Sequence, residues 1–162
     1  MNELKKLMLR EPRLTLAVAE SITCGRVQAA IGAISGASEF FLGGLTAYTI
    51  AQKARHLGVD RARAERVNAA APEIAAQMAR GAVAFFGSDL ALATTGYAEP
   101  APVRGVAHPF AFWALAHRRG RCTRVVRQGR VARRGATRVA MQQAVAKAAL
   151  AGLVRYLREL RG

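Results

Sequence analysis

Ser21 and Lys53 are the two side chains best suited to an acyl-transfer reaction. Ser21 places a hydroxyl just after a compact apolar run, Leu14 to Ala19, and before a helical pattern. Lys53 can take that hydroxyl's proton if burial or nearby positive charge lowers its pKa. Arg55 and the cationic chain push in that direction. Tyr48 is placed to orient the lysine or relay a proton. Each residue also has a bland reading. Ser21 suits a helix N-cap, Lys53 a solvated surface, and Tyr48 a core position with a satisfied hydroxyl.

The elements that would position these groups follow from periodicity. Asn2 to Arg10 reads as a short amphipathic helix closed by Pro12. Leu14 to Ala19 reads as a strand and Ile22 to Ile34 as a helix, broken by Ser35-Gly36-Ala37-Ser38. Leu45 to Thr49 is a second strand after Gly43-Gly44, and Ala51 to Leu57 a short helix ending at Gly58. Pro72 leads a helix to Phe86. Leu90 to Thr95 and Phe110 to Ala116 are strands separated by a loop holding Pro100, Pro102 and Pro109. Cys122 to Val131 is an exposed strand, or a hairpin turning at Gly129. A long helix runs from Thr137 to Leu160.

Strands alternating with helices predict a layered α/β fold. In open α/β sheets, ligands bind beyond the carboxyl ends of the strands. Glu20-Ser21, Tyr48-Thr49 and Thr94-Thr95-Gly96 all fall at such ends, so parallel strands would bring them together. The helix after Ser21 is expected to supply N–H groups for an oxyanion or a phosphate.

Composition sets the outer bounds. With 162 residues, one domain spanning 1–162 is expected. Hydrophobic content of 52% against 22% charged fits a globular chain rather than a disordered one. No apolar run is long enough for a membrane span, and the N-terminus lacks a secretory h-region. Cys24 and Cys122 form no framework and are expected near the core. A cytoplasmic location is the expectation. The formal net charge is +15, concentrated by arginines from Arg118 to Arg138, with Glu159 the one carboxylate side chain after Glu99. That field suits a solvated basic face, or attraction for phosphates, nucleic acid or acidic partners. His56, His108 and His117 are scattered without ligand spacing, so no metal site is expected. Dinucleotide-binding and P-loop motifs are absent.

Four segments resemble one family. Ala19-Glu20-Ser21-Ile22-Thr23-Cys24-Gly25 is similar to the AES-C-T-G-G signature of the CinA C-terminal domain. Gly36-Ala37-Ser38 with Phe40-Phe41-Leu42-Gly43-Gly44 resembles its G-S-S-x-x-F-x-G-G segment. Ala47 to Lys53, then Leu57-Gly58-Val59, looks like A-Y-S-N-x-x-K followed by L-G-V. Ala93-Thr94-Thr95-Gly96, then Ala98 and Pro100, is similar to A-x-T-G-I-A-G-P. The resemblance implies a three-layer α/β/α sandwich with a central mixed sheet. It implies hydrolysis of nicotinamide mononucleotide to nicotinic acid mononucleotide and ammonia, without a cofactor. By matching position, Ser21 is the nucleophile, Lys53 its base, and Tyr48 the support of the lysine. Ser38, Thr23, Thr95 and Gly96 would line the substrate site, with Arg138 standing in one place beyond the family arginine.

The departures strike the nucleotide-holding parts. The family's Gly-rich loop is Glu99-Pro100-Ala101-Pro102-Val103 here, which loses glycines and gains a carboxylate. Cys24-Gly25 replaces Gly-Gly, and Ile50 replaces an asparagine. The expected partner is a small-molecule nucleotide, with the chain assembled as a homo-oligomer. Two alternatives stand beside that reading. One is a different amide at the same site. The other is a non-catalytic paralogue that binds a nucleotide, nucleic acid or protein through its basic face. No membrane partner is expected.

Overall fold

The computed structural model describes residues 3–162. Helix α1 spans Glu3–Leu9, and the expected start at Asn2 lies outside the described residues. Strand β1 (Leu16–Glu20), helix α2 (Arg26–Gly32), a 3-10 turn (Ala37–Glu39) and strand β2 (Phe41–Thr46) follow. Helices α3 (Ile50–Leu57), α4 (Arg61–Arg66) and α5 (Pro72–Phe86) lead to strand β3 (Leu90–Tyr97). A loop with a 3-10 turn at Pro102–Arg104 precedes β4 (Phe110–Arg119), β5 (Cys122–Ala132) and α6 (Arg138–Arg161).

The strands form one mixed sheet in the order β2-β1-β3-β4-β5. β2, β1 and β3 are parallel, while β4 and β5 run antiparallel to their neighbours. Helices cover both faces, giving the expected α/β/α sandwich. Strand alternation decides what each face holds. Ala17, Ala19, Ala91, Ala93, Ala114 and Ala116 face α5, whose own Ala75, Ala79 and Ala82 are buried against them. Small residues on both sides let that helix lie close to the sheet. The other face is built from larger residues. Leu16, Val18, Leu90, Leu92 and Leu115 pack under α1, α2 and α6.

Several expected boundaries move, each for a physical reason. The second strand runs Phe41–Thr46 and contains Gly43-Gly44 instead of following them. Leu16 pairs with Phe41 but Ala17 with Gly43, so the register slips at Leu42, as glycines in a strand often signal. β5 is one continuous strand. Gly129 is needed there for the Trp113 indole, which a Cβ would meet at 2.3 Å, and not for a turn. Helix α4 was not expected. Its start is capped by Asp60, whose carboxylate accepts from the Arg63 amide at 2.9 Å. The two cysteines correct a further expectation, because both are exposed. Cys24 lies in a left-handed turn, at φ 49°, and Cys122 opens β5 on the sheet edge.

Candidate active site

β1 lies between β2 and β3, and the chain leaves it for one neighbour and later returns to the other. A crevice opens at such a switch point, at the carboxyl ends of the strands. Ser21 stands there. Its amide extends the ladder by donating to the Thr94 carbonyl at 3.0 Å. The residue is 7% exposed and sits at the floor of a cavity of about 420 Å³.

Lys53 comes to the same point from the first turn of α3. Thr49 caps that helix, accepting from the Gln52 amide at 3.3 Å, which fixes the first turn that carries Lys53. The lysine is 2% exposed. Its Nζ lies 2.9 Å from Ser21 Oγ and 2.9 Å from the Tyr48 carbonyl. Burial lowers its pKa from 10.5 to about 8. Arg55, the cationic neighbour invoked from sequence, takes no part in that shift, which comes from desolvation.

Ser21 is not an N-cap, because α2 begins at Arg26 with Gly25 as its cap. Residues 21–25 form a separate turn, with Cys24 and Gly25 at φ 49° and 94°. The helix end is satisfied by Glu20. Its buried carboxylate accepts from the Gly25, Val27 and Gln28 amides at 3.0, 3.1 and 2.8 Å. These donors are spent, so the expectation that the helix terminus serves an oxyanion is corrected. Among the described residues, the Ile22 and Thr23 amides of the turn donate to no backbone carbonyl.

A family model of the CinA C-terminal domain matches residues 1–157. The chain belongs to the CinA C-terminal domain family. A CinA-like protein of a Picosynechococcus species is 45% identical over 93 residues, covering 57% of this chain and 22% of that protein. One from Citrifermentans bemidjiense is 44% identical over 100 residues, covering 62% of this chain and 24% of its own length. The chain thus spans about a quarter of the curated relatives it matches. A solved CinA superfamily protein from Enterobacter cloacae has a TM-score of 0.84 at 26% identity, covering 96% of this chain and 88% of the other. A competence or damage-inducible protein from Enterobacter asburiae gives 0.81 at 28% identity, covering 96% of both chains.

In this CinA-family domain, the other expected site residues divide into two groups. Tyr48, Thr95, Gly96 and Arg138 line the cavity. Tyr48 is 55% exposed, so it is no core aromatic. It supports Lys53 through its backbone carbonyl, while its hydroxyl lies 3.5 Å from the Arg138 guanidinium. Arg138 pairs with Glu99 across the cavity mouth, and that ion pair holds the Glu99 carboxyl below the usual carboxylate range. The Thr95 hydroxyl donates to the Ala69 carbonyl at 2.6 Å. Gly96 is at φ 150°, and a Cβ there would lie 2.4 Å from the Ala111 Cα. It is glycine because β4 passes against it.

Thr23 and Ser38 lie outside the cavity lining. Thr23 is fully buried, its hydroxyl 2.7 Å from that of Thr94, so it locks the Ser21 turn onto β3. Ser38 is exposed in the 3-10 turn before β2. Because β2 is parallel to β1, residues preceding it lie at the opposite end of the sheet from Ser21.

Sequence reading missed part of the wall. Asn68 and Ala69, in the turn after α4, line the cavity with left-handed φ values of 48° and 55°. Asn68 Nδ2 donates to the Tyr97 hydroxyl, fixing a third side of the mouth. The available signal was an asparagine just ahead of a proline-led helix, since Asn tolerates φ > 0 better than most residues.

Proposed function

We propose that this domain is a serine-type amidohydrolase that deamidates nicotinamide mononucleotide. The observation that carries the reading is the 2.9 Å contact between Ser21 Oγ and a buried Lys53 of lowered pKa, at the floor of a cavity. Ser21 Oγ attacks the carboxamide carbon as neutral Lys53 takes its proton. The carbonyl π pair becomes an oxyanion, held by the Ile22 amide, the residue after the nucleophile. Collapse of that intermediate breaks the C–N bond. Lys53 returns the proton to the leaving nitrogen, and ammonia departs. Water then attacks the acyl-Ser21 ester with Lys53 again as base, which releases the acid and restores the serine.

Ammonia release from nicotinamide mononucleotide, by the protein and by Ser21→Ala, tests this. Release that depends on Ser21 is expected. Release that survives Ser21→Ala overturns the assignment of Ser21.

A second reading keeps the site and changes the substrate. Glu99 already occupies Arg138, so the mouth offers less free positive charge to a phosphate than Arg138 alone would. On that reading, phosphate-free amides turn over at least as well as the nucleotide, with the same dependence on Ser21.

A further inference from the structure

The arginine-rich segment has a role separate from the Ser21 cavity. At the hairpin end of β4 and β5, a cavity of about 490 Å³ is lined by Arg119, Cys122, Arg124, Val126, Arg127 and Tyr156. His117 pairs with Leu90 at the start of β3, and Arg119 pairs with Cys122. The pocket is therefore level with the beginnings of the parallel strands, at the opposite end of the sheet from Ser21.

Its lining is organised. A register slip between Leu115 and Ala116 lets Arg124 and Arg127, three apart, point to the same α6-covered face as His117 and Leu115. Tyr156 of α6 sits beneath them. Its hydroxyl accepts from Arg119 at 3.3 Å and lies 2.6 Å from Nδ1 of the buried His117. Burial lowers the His117 pKa, with Arg119 adding to the effect. A neutral imidazole can then accept the phenol proton, leaving the phenol oxygen free for Arg119. The Tyr156 ring also carries the Arg127 guanidinium, 5.6 Å from its centroid. Arg127 is held from behind by the Val126 carbonyl, at 2.9 Å, and by Glu159. Arg124 has no hydrogen-bond or ion-pair partner among the described residues.

Two guanidiniums fixed by one tyrosine, a third left unpartnered and one carboxylate at the rim leave an excess of positive charge in a concave site. Forked N–H donors of this kind match the oxygens of a phosphate group. The volume exceeds that of a bare phosphate, and Val126 and the Tyr156 ring add an apolar side. We propose that this pocket binds the phosphate group of a small phosphate monoester, independently of the Ser21 site.

Phenyl phosphate is the probe, titrated calorimetrically into the Ser21→Ala protein, so that hydrolysis at Ser21 plays no part. One equivalent is expected to bind, at least about tenfold more weakly after Arg124→Ala. Tyr156→Phe keeps the ring but frees Arg119, and a loss of about threefold is expected, with circular dichroism confirming the fold. Arg80→Ala, on the exposed side of α5, removes the same charge elsewhere and is expected to leave affinity unchanged. Equal losses from Arg80→Ala and Arg124→Ala would reveal a general charge effect and overturn the proposal. So would binding abolished by Arg138→Ala and kept in Arg124→Ala, which would place the probe in the Ser21 cavity.

Discussion

If Lys53 is the base for Ser21, the serine's reactivity must follow the lysine's titration. The contact distance of 2.9 Å and the fall in pKa from 10.5 to about 8 set the size of the effect. At pH 7 a lysine of pKa 8 is about 9% neutral, against about 0.03% for an ordinary one, a gain of roughly 300-fold in free base. Raising the pH from 7 to the plateau can then add only about a further tenfold, with the midpoint near 8. Labelling of Ser21 by a fluorophosphonate, followed by intact-protein mass spectrometry from pH 6 to 10.5, reads this without any assumption about the substrate. The rate is expected to rise with unit slope and level off above about pH 8. Lys53→Arg, which stays protonated throughout, is expected to lose labelling by at least about a hundredfold. A flat profile, a midpoint near that of free lysine, or wild-type labelling of Lys53→Arg would refute the reasoning.

The same burial makes stability depend on pH. Below about pH 8 the folded and unfolded chains both carry the protonated lysine, and the fold bears its full cost, about 3 kcal/mol for a fall from 10.5 to about 8. Between those values the unfolded chain binds the extra proton, so stability climbs with pH and levels off above about 10.5. Urea unfolding of the wild type and Lys53→Met should diverge in slope across that interval, and parallel curves would count against it. Gly96→Ala would drive a Cβ to 2.4 Å from the Ala111 Cα and is expected to cost about 3 kcal/mol in denaturant unfolding. Glu20→Gln keeps the volume but supplies one acceptor oxygen for three amides. A loss of about 2–4 kcal/mol is expected, with slower fluorophosphonate labelling because the Ser21 turn loosens.

The sheet was legible because its two faces are written with different residue sizes. Leu16-Ala17-Val18-Ala19 and Leu90-Ala91-Leu92-Ala93 alternate large and small, and the structure seats them against different helix layers. The meeting of Ser21, Lys53 and the Thr95-Gly96 segment followed from the rule that parallel strands open a crevice at their carboxyl ends. Lys53 was picked out by its place just beyond Tyr48 at the start of a helix, and the resemblance in motif agreed. Contacts made by loops were not legible. Ser38 sits in a motif beside β2, but its end of the sheet depends on strand direction, which periodicity does not report. Asn68 reaches Tyr97 through a left-handed turn after a six-residue helix too weakly patterned to recognise. The exposed cysteines show the limit of composition, since turn and edge geometry override a small residue's tendency toward burial.

Burial alone sets where Lys53 titrates, at about 8. A base much weaker than this would be neutral at pH 7 but poor at taking a serine proton, whereas an unshifted lysine would be strong but almost wholly protonated. The Glu20 carboxylate has a different part in the site, accepting from the Gly25 cap amide and from the Val27 and Gln28 amides of α2. The carboxylate thereby withdraws these amides from any developing oxyanion. In the proposed reaction that role falls to the turn, where the Ile22 amide donates to no backbone carbonyl among the described residues. The adjacent Glu20 and Ser21 therefore act as a unit: the acid closes the helix end and shapes the turn, and the turn presents the hydroxyl to the lysine.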